Sequence, residues 1–212
     1  MSAAGPPQGA HAPTGGSAEA PAASVGAPGH WNMVRLEDVK PVPWRNGGGV
    51  TRELLVWPDP DDWRVRMSVA EVAQDGPFSR FDGVQRWFTV LAGAGVRLRL
   101  EGVIRELTDH HPPFEFDGGA ATQCELIGGP TRDFNLMLRD ATGRTGRVRG
   151  TQLLECGVTD LIAIYTVDRG GLAVFGDEKI EIGPQTLAWR ILPAKGSLSV
   201  DSHDALWMEI KR

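Results

Sequence analysis

The chain has 212 residues, enough for one large domain or two small ones, and 41% of its residues are hydrophobic, enough for a full core. Its formal net charge is −5 with no dense basic run, which argues against a nucleic-acid partner, because such proteins usually carry a clustered basic face. No stretch approaches the ~20 consecutive apolar residues of a membrane span, so we expect no membrane partner.

Residues 1–29 consist mostly of Ala, Gly, Pro and Ser, with Glu19 as the one formally charged side chain. Such a segment lacks the large apolar groups that offset the entropy of ordering, so we expect a disordered tail. It has neither the basic start nor the apolar run of a secretory signal, and we expect a cytoplasmic protein. Cys124 and Cys156 fit no metal-site spacing; they could pair, but two buried free thiols are the simpler expectation.

The first motif of the folded region is PWRNGGGVTRE, at residues 43–53. Three consecutive glycines are unsuited to a helix or a well-packed strand, and they suit positive φ or a close approach to the backbone. Two interpretations are open. The motif is either a tight bend with solvated charges, or the wall of a pocket that presents backbone amides and charged side chains to a small polar ligand.

Short β-rich segments follow at intervals of about ten residues, separated by Gly and Pro. Trp63, Val65 and Met67 alternate with Arg64 and Arg66, the period of a strand with two unlike faces. The pattern predicts a β-sandwich or barrel without a helix longer than about two turns. The predicted strands of this half are Met33–Leu36, Thr51–Trp57, Trp63–Val69, Arg86–Leu91, Val96–Glu101, Val103–Leu107, Phe114–Phe116 and Ala121–Ile127.

The second half is predicted to be β as well, after a polar segment rich in Gly and Arg. We expect an N-terminal barrel at 30–139 that carries the pocket, a linker at 140–150 and a C-terminal barrel at 151–212, with strands exchanged between the two. The predicted strands here are Thr151–Glu155, Leu161–Val167, Gly171–Phe175, Lys179–Ile182, Thr186–Ile191, Gly196–Val200 and Ala205–Ile210.

Familiar catalytic and metal-binding motifs are missing from the sequence. The five histidines include no His-x-His pair with a downstream Glu, so we expect no metal. There is no Gly-x-Ser-x-Gly elbow, and the glycine run lacks the Lys-Ser/Thr of a phosphate-binding loop. We therefore expect no cofactor and no catalytic residue.

What remains is a set of polar residues on strands that otherwise look buried. Buried charges need partners, so these groups either form an ion-pair network that closes the barrel or line a pocket in which an arginine fork receives a carboxylate. The residues predicted to bind a ligand are Trp44, Arg45, Asn46, Gly47, Gly48, Arg52, Glu53, Ser68, Glu71, Ser79, Asp133 and Asn135.

Five segments in order, PWRNGGGVTRE, WRVRMSVAEVAQDGPFS, FDGVQRWFTVLAGAGVRL, FEFDGG and GGPTRDFNLMLR, resemble the HutD/Ves family. The resemblance implies a bicupin, two β-barrels in one compact unit, without the metal-ligand histidines of metal-dependent cupins. One branch of the family accompanies histidine-degradation genes and is thought to bind an intermediate such as formylglutamate or urocanate, as a regulator. The other branch is described as stress-induced, and the sequence does not choose between them.

The leading hypothesis is a non-enzymatic protein, monomer or homodimer, that binds a small carboxylate. Arg52 or Arg45 would hold the carboxylate, and Glu71 and Asp133 would orient the arginines. Asn46, Ser68 and Asn135 would supply directional hydrogen bonds. One alternative is an isomerase or hydrolase with Glu71 or Asp133 as general base. A third is a structural β protein in which the polar network only closes the fold.

Overall fold

The computed structural model describes residues 30–157, 161–192 and 195–211. The predicted tail at 1–29 lies outside them. Within these ranges nearly every element is a strand, and one short 3₁₀ turn, Leu36–Asp38, is the sole helical element. The described residues contain no helix long and apolar enough to cross a membrane. The all-β prediction is confirmed.

Seventeen strands follow one another in the described ranges. They are β1 (Asn32–Arg35), β2 (Val42–Pro43), β3 (Gly49–Trp57), β4 (Val65–Val72), β5 (Gly76–Pro77), β6 (Val84–Ala92), β7 (Val96–Leu100), β8 (Val103–Leu107), β9 (Phe114–Asp117), β10 (Thr122–Leu126), β11 (Thr131–Arg139), β12 (Thr142–Cys156), β13 (Leu161–Thr166), β14 (Gly171–Phe175), β15 (Glu178–Ile182), β16 (Thr186–Arg190) and β17 (Gly196–Lys211).

The strands form three sheets, all of them antiparallel. A six-stranded sheet has the order β2-β3-β4-β11-β6-β9, and a four-stranded sheet has the order β5-β10-β7-β8. These two face each other around a core that includes Phe88, Leu98 and Cys124, and together they make the first barrel. A seven-stranded sheet, β1-β16-β13-β17-β14-β15 with β12 beside β17, curls around its own core to make the second barrel.

The two barrels pack through the outer face of the six-stranded sheet. Met67 and Phe134 of that sheet share one continuous core with Leu187 and Met208 of the second barrel. The six-stranded sheet is therefore buried on both faces, and its strands have no solvated side over most of their length. Strand β1 pairs with β16 rather than with the first barrel, with Met33 opposite Ala188.

The segment expected to be a linker, residues 140–150, lies mostly within β12, so that part of the predicted division needs correction. Strand β12 pairs with β17 from Thr142 opposite Lys211 to Cys156 opposite Gly196. Gly146 is needed for close packing, since a Cβ on it would lie 2.6 Å from the indole nitrogen of Trp207. The Gly-rich, charged composition that suggests a linker is here the composition of a strand beside a bulky partner.

Arg147 of β12 joins the two barrels. Its Nε and Nη2 donate to both carboxylate oxygens of Asp204, at 2.7 and 2.6 Å. Its Nη1 donates to the backbone oxygen of Val90 in the first barrel, at 2.8 Å. Both cysteines, Cys124 and Cys156, are free and buried, as the sequence predicts.

Candidate functional site

The two faces of the six-stranded sheet receive different side chains. In β4 and β11, Met67 and Phe134 point into the core between the barrels. Ser68 and Asn135 are opposite each other in the register, and Glu53 of β3 is opposite Ser68, so these three share the face that lines the first barrel. Pairing across antiparallel strands thus brings three of the predicted residues into one row.

A buried arginine, Arg86 of β6, lies beside this row. It is 5% exposed, and its Nη2 donates to Asn135 Oδ1 at 2.9 Å. Its Nη1 donates to the backbone oxygen of Ser79 at 3.4 Å, which brings a fourth predicted residue to the site through its main chain. Three aromatic rings surround the guanidinium, with centroids 5.3, 5.7 and 5.0 Å from Cζ: Phe78, Phe81 and Phe116.

Arg86 has no anionic partner. Across the described ranges no carboxylate forms an ion pair with it, and its buried Nε donates to nothing. Burial lowers the pKa of Arg86 to about 10, and repulsion from the charge of Arg66 adds to the shift. The group stays cationic at neutral pH. Neutral hydrogen-bond acceptors and aromatic faces compensate a buried cation only in part.

Arg66, on the same face of the sheet, is compensated. It forms an ion pair with Glu53, and its Cζ lies 5.2 Å from the ring of Trp63 and 5.9 Å from that of Phe81. Arg66 and Arg86 are both opposite Met137 in the register, so two arginines flank one methionine, and Glu53 lies on the far side of Arg66. The net charge of this cluster is positive.

Asp133 also lies within the first barrel, but away from any arginine partner. It is fully buried, and Thr131 Oγ1 donates to its Oδ2 at 2.7 Å while Oδ1 has no partner among the described residues. Burial raises the pKa of Asp133 to about 7, and the Thr131 hydrogen bond opposes the shift. The expected role of Asp133 in orienting an arginine is not what these contacts show.

Arg52 and Glu71 form the ion pair that was expected of them, with Arg52 Nη1 2.6 Å from Glu71 Oε1. The register, however, puts Arg52 opposite Val69 and Glu71 opposite Arg132. These positions belong to the other face of the sheet, toward the second barrel. The pair is thus separated from Asn135 by the thickness of the sheet.

The glycine motif lies at the far end of the same sheet. Gly49 is opposite Val72, six residues along β4 from Arg66, a distance of about 20 Å at strand rise. The motif uses its own amides: Gly47 N donates to Trp44 O at 3.0 Å, and Gly48 N donates to Asn46 Oδ1 at 3.0 Å.

The other groups of the loop are similarly placed. The Trp44 indole donates to Thr51 Oγ1 at 2.8 Å, and Gly48 O accepts from the amide of Ala73 at 2.8 Å. Arg45 is exposed in the loop. These contacts describe a closed turn between strands, in which the amides of Trp44, Gly47 and Gly48 donate within the turn.

Sequence reasoning missed Arg86, Arg66 and the aromatic rings around them. The signal was present in RWFTVL, residues 86–91, where one arginine heads an otherwise apolar strand. Arg86 is two residues from buried Phe88, so both side chains point to the same apolar face of the strand. A charged group in that position needs a partner.

Two surface hollows are also present, and the first shares Phe116 with the rings around Arg86. One, of about 410 Å³, is lined by Gly83, Val84, Gln85, Glu115, Phe116 and Asp117. The other, of about 760 Å³, is lined by Leu91, Asp109, His110, Arg149, Gly150, Val167, Asp168, Asp201, Ser202, His203 and Asp204. The first has two carboxylates and no basic side chain in its lining, and the second has four aspartates together with Arg149 and two histidines. Within the described residues no group of three or more His, Cys, Asp or Glu could hold a metal ion.

Comparisons with known proteins agree on one family. The family model described as HutD matches residues 36–209. A Pseudomonas putida protein named for the region 3′ of hutC is 38% identical over 107 residues, covering 50% of this chain and 56% of its own length. Protein Ves of Cronobacter sakazakii is 39% identical over 128 residues, covering 53% of this chain and 71% of its own length. The chain thus spans little more than half of the first of these relatives.

Solved structures show the same likeness. HutD from Pseudomonas fluorescens SBW25, whose structure carries the description "formate condition", superposes with a TM-score of 0.76 and 29% identity, covering 86% of this chain and 98% of that one. An oxalate decarboxylase of Bacillus subtilis superposes with a TM-score of 0.58 at 8% identity, covering 84% and 76% of the two chains. That last likeness concerns the fold alone, and it confirms the cupin architecture.

Proposed function

The chain belongs to the HutD family, as the match over residues 36–209 shows, and from this premise we propose that it binds a small carboxylate inside its first barrel. Arg86 is the anchor. Asn135 holds the guanidinium in place, and Ser68 and Glu53 complete the polar row beside it. The protein acts by binding, in the cytoplasm, rather than by chemical conversion.

One observation carries the proposal: among the described residues the buried cation Arg86 has no anionic partner, and its Nε has no acceptor. Removing a charged group from water costs several kcal/mol unless it is paired. A planar carboxylate matches the donor fork of arginine and would supply both the charge and the missing acceptor. The three aromatic rings around Arg86 exclude water and strengthen that contact.

The relatives support the same ligand class. The Pseudomonas fluorescens HutD structure is described for a formate condition, and formate is the smallest carboxylate. The Pseudomonas putida relative is named for the region next to hutC. Carboxylates of histidine degradation, formylglutamate and urocanate, are therefore the first ligands to test, with a regulatory role in that pathway as the proposed consequence of binding.

The test is isothermal titration calorimetry of the full chain with formate, acetate, glutamate, formylglutamate and urocanate. We expect Arg86→Met to weaken the tightest of these at least about 100-fold, because a desolvated charge-assisted fork is lost. Arg52→Met is the matched control, since its ion pair with Glu71 lies on the other face of the sheet.

Equal loss in both variants would contradict the assignment of Arg86, and loss in Arg52→Met alone would restore Arg52 as the carboxylate anchor. Unchanged binding of every carboxylate by Arg86→Met would remove the proposed site altogether.

A second candidate function rests on Asp133. A buried carboxyl whose pKa is raised to about 7 is suited to proton transfer near neutral pH, as the isomerase or hydrolase alternative requires. The test is turnover of the same carboxylates, followed by NMR. Product formed by the unaltered chain and abolished in Asp133→Asn would favour an enzyme; no product from either leaves binding as the function.

A further inference from the structure

The second barrel contains an arginine built into its wall much as Arg86 is built into the first. Arg190 ends β16, opposite Ile162 of β13. Side chains alternate along β16, so Trp189 faces the core between the barrels and Ala188 faces the core of the second barrel. Arg190 has the parity of Ala188 and points the same way. It is 6% exposed.

Aromatic rings enclose this guanidinium too. The Cζ of Arg190 lies 5.3 Å from the ring of Trp31 and 5.2 Å from that of Phe175. Gly196 packs against Phe175 so closely that a Cβ there would lie 2.8 Å from the ring. The position next to the Phe175 ring therefore accepts only glycine, and the close packing holds that ring in place.

Two buried donors in this box have no acceptor. They are Arg190 Nε and the indole nitrogen of Trp31, neither of which has a partner among the described residues. Five buried nitrogen donors of the described residues lack a protein acceptor, and these two share one aromatic box, which points to an acceptor that is supplied from outside.

The remaining contact of Arg190 is with Glu178, whose Oε2 lies 2.6 Å from Nη1. The Glu178 side chain is 44% exposed, while that of Arg190 is 7% exposed. Glu178 begins β15, an edge strand, directly after the tight turn at Gly176. Its carboxylate can thus leave Arg190 for solvent by a movement of one hairpin end.

We propose that the second barrel holds a latent carboxylate site at Arg190 and Trp31, in which Glu178 neutralises the arginine that a free carboxylate would bind. Glu178 satisfies one guanidinium nitrogen and leaves the two other donors unused. A free monocarboxylate on the Nε side of the guanidinium would supply the acceptor that these two donors lack. This site is independent of the one proposed at Arg86, and each can fail without the other.

Glu178 competes from within the chain, and such a tethered group acts at an effective concentration on the order of millimolar. We therefore expect the unaltered chain to bind free carboxylates weakly in the second barrel. Removal of the Glu178 charge removes this competition and should raise the affinity of the site for free carboxylates.

The experiment is a formate titration followed through the indole N–H resonances of the seven tryptophans in ¹H–¹⁵N spectra. Trp31→Phe assigns the Trp31 signal. In Glu178→Gln we expect that signal to shift saturably, with an affinity at least about tenfold above that of the unaltered chain. Glu178→Ala is the second variant, because a glutamine could keep part of the contact through its own oxygen.

Glu181→Gln is the matched control, since it removes the same charge from an exposed position of the same strand. A Trp31 signal that moves no further in either Glu178 variant than in Glu181→Gln overturns the inference. Repeating the titration with Arg86→Met added to Glu178→Gln separates the two sites: saturation at Trp31 persists in the double variant if the second site is real.

Discussion

In the first barrel a buried base and a buried acid, Arg86 and Asp133, have no charged partner among the described residues. In the second barrel the corresponding groups are paired: Arg190 with Glu178, and Glu209 with Arg144. Both barrels surround their arginine with aromatic rings. The difference therefore lies in charge compensation rather than in packing.

This difference is why we propose the stronger carboxylate site in the first barrel and a latent one in the second. A protein that compensates its own buried charges gains stability and leaves nothing for a partner, whereas an uncompensated charge costs stability until a ligand arrives. The three buried arginines can be ordered by how far a carboxylate compensates their charge. Arg147 binds both oxygens of Asp204 and is fully compensated. Arg190 is partly compensated, and Arg86 is not compensated by any described carboxylate.

The largest expected effect comes from Arg147→Met. The side chains of Arg147 and Asp204 are 7% and 11% exposed, so the change leaves a buried carboxylate with only Arg149, at 3.2 Å. We expect the free energy of unfolding to fall by about 3 kcal/mol, measured by urea denaturation. Arg149→Met, at a 41% exposed side chain, is the control and should cost below about 1 kcal/mol. Equal losses of unfolding free energy in the two variants would contradict the prediction that the less exposed arginine contributes more to stability.

The next largest effect is expected of Asn135→Asp, which gives Arg86 a carboxylate partner like the one that Arg190 has in the second barrel. The new carboxylate replaces an oxygen that already lies 2.9 Å from Arg86 Nη2. We expect carboxylate affinity to fall about 100-fold, or ~3 kcal/mol, while the free energy of unfolding rises. Calorimetry and denaturation on the same variant measure both. A variant that keeps full affinity would show that Arg86 is not the anchor.

Asp133→Asn should change the pH dependence of stability. The pKa of Asp133 is raised to about 7 in the folded state against 3.8 as the reference, so between these values the folded state holds a proton that the unfolded state has lost. Unfolded chains then bind fewer protons, and stability falls as pH rises. We expect the unaltered chain to lose about 2–3 kcal/mol more than Asp133→Asn between pH 5 and 7. Parallel curves in thermal or urea unfolding would contradict a buried, unpaired acid.

The smallest effects are expected of alanine substitutions in the glycine motif, which should lower stability without changing carboxylate binding. A Cβ at Gly49 would lie 2.4 Å from the backbone oxygen of Glu71 and 3.2 Å from the ring of Trp44, so Gly49→Ala should cost about 2 kcal/mol of stability. At Gly48 the nearest group is the Asn46 side chain, 3.3 Å away, and Gly48→Ala should cost less. Neither change should alter carboxylate affinity by more than about twofold. A large loss of carboxylate affinity in either variant would support the interpretation of the motif as a wall of the binding pocket.

Part of the site could be predicted because local patterns specify it. Alternation in β4 and β11 puts Ser68 and Asn135 on polar positions between apolar ones, and the pairing of Arg52 with Glu71 follows from the need to match charges. Which positions line the barrel could not be predicted in this way. Arg52 and Glu53 take opposite faces because they are neighbours on one strand, but the sequence does not tell which of the two faces lines the barrel.

The sequence by itself determined the all-β architecture, the two barrels and the family, because strand periodicity, turn residues and the five motifs are local properties of the chain. Only the tertiary structure decided that Arg86 is unpaired, that Arg190 is paired, and that residues 142–156 form a strand. The physical reason is that both faces of the six-stranded sheet are buried. A period of two separates those faces but carries no information on which one encloses a ligand, and charge compensation depends on partners far apart in sequence, such as Arg86 and Asn135.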